Sequence, residues 1–145
     1  MKIRLIVISS LLASILLMGG CGSETPMKDL KDASNEIDKI EQQSENIQNK
    51  EEAFTVLRDL NSEMKNVREA VLALDNKYIN MKPDSEEFEK VKQSEEFKNT
   101  MEEFEKINSD INSSLAVISE NIEPYKDNEE VKKMIEKLQS LLISR

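Results

Sequence analysis

The 145-residue chain contains no histidine and only one cysteine, Cys21. Without histidine it lacks the usual general base, the commonest metal ligand and any Ser-His-Asp arrangement. A single cysteine excludes an intramolecular disulfide and a zinc site built from several thiolates. We therefore predict a protein that is not an enzyme and that holds no metal and no cofactor.

Glycine is nearly absent as well, because all three glycines lie at or before Gly22. The rest of the chain has no glycine with which to form a phosphate-binding loop or a Rossmann fingerprint. Aromatic residues make up 4% of the chain and charged residues 34%. This composition favours long amphipathic helices over a β-sandwich or barrel.

The first twenty residues have the pattern of a secretory signal. Lys2 and Arg4 precede an apolar run over 5–17, and Met18-Gly19-Gly20 then leads into Cys21. This stretch resembles the lipobox of bacterial lipoproteins, although methionine stands where leucine is usual. The resemblance implies that residues 1–20 are removed and that Cys21 is acylated. The apolar run is too short to span a bilayer, which needs about 20 residues.

Two alternatives for Cys21 are an intermolecular disulfide and a reactive thiol. If the thiol is acylated, residues 21–26 form a short lipidated tether and residues 27–145 form the domain. We expect a location in the cell envelope, on a bacterial membrane and facing the periplasm or exterior. Gly22 is not an acidic retention signal, which favours the outer of two membranes, but the choice of membrane stays open.

Removal of the signal leaves 125 residues with 18 basic and 29 acidic side chains, a net charge of −11. A charge of this sign repels nucleic acid and anionic lipid headgroups. We therefore predict no nucleic-acid partner and attachment to the membrane through the lipid.

Apolar residues at three-four spacing predict a first helix over 27–48. Asn49 and Glu52 then have the spacing of a capping box, which predicts that a second helix begins there. The alternative is one helix that continues through this junction. The second helix carries an unbroken apolar seam and ends at Lys82 because Pro83 follows. The seam comprises Leu57, Leu60, Met64, Val67, Val71, Leu74, Tyr78 and Met81.

A third helix is predicted from a cap at Asp84 or Ser85 to Pro124, with a kink over 93–99. Its apolar face comprises Phe97, Met101, Phe104, Ile107, Ile111, Leu115, Ile118 and Ile122. A fourth helix follows a cap at Asp127 or Asn128 and runs to about Ser144. We expect an all-α, antiparallel up-down-up-down bundle of four helices, or three if the first two are continuous. Helices 2 and 3 would form a long central hairpin.

From Asn49 onward the chain is similar to small periplasmic b-type cytochromes with a four-helix bundle. The resemblance is carried by Asn49 with Ala53 and Val56-Leu57, and by the run Lys-Pro-Asp-Ser-Glu-Glu-Phe at 82–88. It implies a bundle, with the haem methionine of that family falling at about Ser34. The stretch 138–145 contains no histidine. Because both haem ligands are missing, the resemblance implies a relative without haem.

The expected function is that of a membrane-anchored bacterial lipoprotein acting as a non-catalytic structural or protein-interaction module of the envelope. The alternative is a small-ligand carrier, or a haem-free relative of a periplasmic bundle cytochrome. The seam of helix 2 extends beyond what the shorter helices cover. Its end, with the facing residues of helix 3, is therefore the candidate contact for an envelope partner or for self-association. These candidate contacts are Tyr78, Met81, Phe88 and Val91. If helix 3 instead kinks and folds back over them, no apolar patch is exposed.

Overall fold

The computed structural model describes residues 24–76 and 85–143. Of these residues 91% are helical, and the described ranges contain no strand, which confirms the predicted all-α bundle. The helices are α1 (Glu24–Ser44), α2 (Lys50–Asn76), α3 (Glu86–Gln93), α4 (Glu95–Ile122) and α5 (Glu129–Ile143), with a 3₁₀ turn at Glu123–Tyr125.

The junction between α1 and α2 is a true break, so the alternative of one continuous helix is wrong. Asn49 Oδ1 accepts from the Glu52 backbone N–H at 2.9 Å. The Glu52 carboxylate in turn accepts from the Gln48 N–H at 2.8 Å, one residue before the cap. This pair of bonds fixes the start of α2 as the spacing predicted.

The start of α1 differs from the prediction, because the helix begins at Glu24 and not at Met27. Pro26 therefore lies in the first turn, where its missing N–H would have no helical acceptor. The helix ends at Ser44, four residues earlier than predicted, and the Ser44 hydroxyl donates back to the Glu41 carbonyl at 2.6 Å.

The predicted third helix is divided into α3 and α4 by a single residue, Ser94, within the range predicted to kink. Ser94 has extended backbone angles, φ −68° and ψ 143°, and its hydroxyl accepts from the Phe97 N–H. Such a hydroxyl satisfies one of the N–H groups that a helix start leaves without a partner.

Pro124 ends α4, as predicted, by placing a 3₁₀ turn directly after Ile122. Asn128, one of the two predicted caps, then starts α5. Its Oδ1 accepts from the N–H groups of Glu130 and Val131 at 3.1 and 3.3 Å.

The helices are arranged differently from the expected central hairpin. Close backbone contacts join α1 to α2, α1 to α4 and α2 to α5, whereas α2 and α4 approach each other less closely. Helix α1 therefore lies between the two long helices. The apolar stripes predicted which face each helix buries but not which helix it meets.

One continuous apolar core fills the space between α1, α2, α4 and α5. Its fully buried large side chains come from all four helices. They are Leu30, Ile37, Leu57, Leu60, Leu74, Phe104, Ile111, Leu115, Ile118, Ile122 and Leu138. The described part of the predicted seam, from Leu57 to Leu74, is buried throughout.

Truncation of Leu60 or Phe104, each 1% exposed, to alanine should destabilise the fold by about 2–5 kcal/mol. The cost has two sources, lost apolar burial and the cavity left behind. Urea unfolding followed by circular dichroism measures it.

Leu72→Ala is the matched control, because Leu72 is the large apolar residue that lies 38% exposed. Its effect should stay within about 0.5 kcal/mol. Equal losses at Leu60 and Leu72 would contradict the assignment of the core.

Candidate functional site

The structure describes only part of the predicted contact surface. Cys21, Tyr78 and Met81 lie outside the described residues, and of Phe88 only the backbone is described. Val91 is described and lies half-buried on α3. The prediction that Tyr78, Met81, Phe88 and Val91 form one apolar surface therefore stays a prediction.

Val91 belongs to a small apolar cluster that is separate from the main core. It packs with Met101 against Phe97, which is 7% exposed. We call these three residues the satellite cluster. It lies where α3 joins α4, so the residue predicted to face a partner packs partly within its own chain.

Polar side chains connect α1 and α4 along one interface. The buried Ser114 hydroxyl donates to Asp38 Oδ1 at 2.9 Å. Further along, Asn121 Nδ2 donates to the buried Ser44 hydroxyl oxygen, also at 2.9 Å. An exposed ion pair, at 3.9 Å, joins Lys31 to Glu103 near the other end.

The order of these contacts fixes the direction of the two helices. Residues 31, 38 and 44 of α1 meet residues 103, 114 and 121 of α4, so the numbers rise together. Helices α1 and α4 are therefore parallel neighbours. The start of α1 at Glu24 lies level with the start of α4, and α3 lies at that same end of the bundle.

Helix α5 fills only part of the fourth position of the bundle. It has 15 residues, whereas α2 has 27 and α4 has 28. It starts at the end opposite to α3, where α4 terminates. Near the start of α1, the long helices therefore extend past the part of the bundle that α5 covers.

Asn61 is a buried polar residue at the contact between α2 and α5. It is 3% exposed, and its Nδ2 donates to the Leu57 carbonyl at 2.9 Å and to the Met134 carbonyl at 3.3 Å. Its Oδ1 is buried without a hydrogen-bond partner. The amide thus links two helices. Its unpaired acceptor offsets part of the stability that the two hydrogen bonds contribute.

The surface grooves of the described residues are shallow and charged. One groove lies between α1 and α2, where the small residues Ala33, Ala70 and Ala73 line it and acidic residues dominate its rim. A smaller cleft of about 380 Å³ lies between the end of α4 and α5, above Ile122 and Ile135. Neither groove holds an arrangement that indicates a reaction.

Two charged groups at the rim of the smaller cleft have shifted pKa values. The ammonium of Lys126 hydrogen-bonds to Glu123, which lowers the pKa of Glu123 and raises the pKa of Lys126. Both side chains are about 40% exposed. Solvent screens such pairs strongly, so this one contributes little to stability.

Within residues 24–76 and 85–143, no three carboxylate, thiol or imidazole groups lie where they could share a metal ion. In the same ranges, no helix is apolar over a length sufficient to cross a bilayer. At the positions that the cytochrome resemblance singled out, Ser34 is buried and Leu138 lies in the core.

The sequence did not indicate Asn61 and Ser114, two of the buried polar residues that connect neighbouring helices. Asn61 directly follows Leu60 of the predicted seam, and Ser114 directly precedes Leu115 of the predicted face. A polar residue beside an apolar seam is a weak signal, because such positions also occur at the solvent-exposed edge of a helix. Nothing in the sequence indicates which helix these two residues contact.

No protein-family model, no curated protein and no solved structure matches this chain.

Asn61→Asp should destabilise the fold by about 2–4 kcal/mol at neutral pH, because it buries a carboxylate against two carbonyl oxygens. Burial raises the pKa of the introduced carboxyl above its unfolded value of about 3.9. The penalty is therefore absent below about pH 4 and grows as the pH rises above it. Urea unfolding between pH 3 and pH 8 measures this dependence.

Asn61→Leu is the control, because it removes the unpaired acceptor and places an apolar group in an apolar site. Its stability should stay within about 1 kcal/mol of the original at every pH. An aspartate variant as stable as the leucine variant at pH 7 would show that position 61 is hydrated.

Proposed function

We propose that this protein is a bacterial lipoprotein, anchored to a membrane of the cell envelope by acylated Cys21, which acts as a non-catalytic protein-interaction module. The observation that carries this proposal is the sequence ending in Met18-Gly19-Gly20-Cys21, followed by a helical bundle that begins at Glu24. Two residues separate the cysteine from that first helix. A lipid at Cys21 would hold the bundle close to the membrane.

The character of the described surface supports attachment through lipid and not through the protein face. The rim of the groove between α1 and α2 is mainly acidic, and most of the described apolar residues of α1, α2, α4 and α5 lie in the core. An acidic surface is repelled by anionic headgroups. Two or three acyl chains supply stable attachment, at about 0.8 kcal/mol for each buried methylene.

We further propose that the partner surface lies at the end of the bundle that carries the anchor. The parallel contacts of α1 and α4 place α3, with Val91, at the same end as Glu24. Phe88 belongs to α3, Tyr78 and Met81 precede α3 in the sequence, and these three residues complete the proposed surface. A partner bound there would itself be close to the membrane.

Cys21→Ser should move the protein from the detergent-rich phase of a Triton X-114 extraction to the aqueous phase, or leave it with an uncleaved signal. The serine hydroxyl cannot replace the thiol that receives the lipid. Ser23→Ala, two residues away, is the control and should partition like the original protein. Equal partitioning of all three proteins, with the signal removed from each, would refute the lipid anchor.

The double substitution of Met81 and Val91 by lysine should weaken association at the proposed surface while the helix content stays unchanged. Charged side chains at an apolar contact cost desolvation and remove apolar burial. Cross-linking in intact envelopes, followed by capture of the protein, measures partner binding. Sedimentation of the purified protein measures self-association.

Leu72→Lys is the matched control, because it adds a lysine at an exposed apolar site on α2. It should keep the partners and the oligomeric state of the original protein. If the double variant captures the same proteins in the same amounts and the original is a monomer, the proposed contact surface is wrong.

A further inference from the structure

We draw no further inference here: the strongest candidate, the surface groove between α1 and α2, consists of an acidic rim beside the small residues Ala33, Ala70 and Ala73, and nothing in residues 24–76 and 85–143 shows what covers it.

Discussion

Burial of one apolar core between α1, α2, α4 and α5 is the interaction on which the rest of this structure depends. The chain has few aromatic residues, and the interior is made mainly of leucine, isoleucine and valine. Each such side chain contributes about 1.5–3 kcal/mol when it leaves water. The surface ion pairs are exposed on both partners and contribute far less. The helices are therefore stable because they pack together. The acidic side chains lie on the exterior because the apolar side chains occupy the core.

An apolar core does not by itself specify how helices are arranged around it, and here buried polar groups add that information. Ser114 and Asp38 connect α1 to α4, Asn121 and Ser44 connect them again, and Asn61 connects α2 to α5. Each bond requires one particular register, and a slipped helix would leave a buried polar group without its partner. The result is a bundle in which α1 is central and parallel to α4. This parallel pair places α3 and the start of α1 at the same end.

Local signals allowed much of the fold to be predicted. Asn49, Asn128 and Pro124 mark helix boundaries because their effects act within a few residues, and the structure has boundaries at all three. The central hairpin of the two long helices was predicted incorrectly, because a stripe of apolar residues fits several neighbours equally well. The candidate contact surface lies largely outside the described residues. Of its four residues, Val91 is the one whose side-chain contacts the structure describes. The apolar pattern placed Phe97 and Met101 on one face of the third helix and left Val91 outside that face, so it did not predict the satellite cluster.

The positions of α3 and of the proposed partner surface both depend on the parallel pairing of α1 and α4. Cysteines replacing Lys31 and Glu103, in a full chain with Cys21→Ser, can be joined by a short bis-maleimide. Rapid cross-linking is expected for this pair, whose original side chains lie 3.9 Å apart. No cross-linking is expected for cysteines at 31 and 120, because position 120 lies about 25 Å further along α4. Cross-linking of 31 to 120 and not to 103 would show that the helices are antiparallel, which would contradict the parallel pairing.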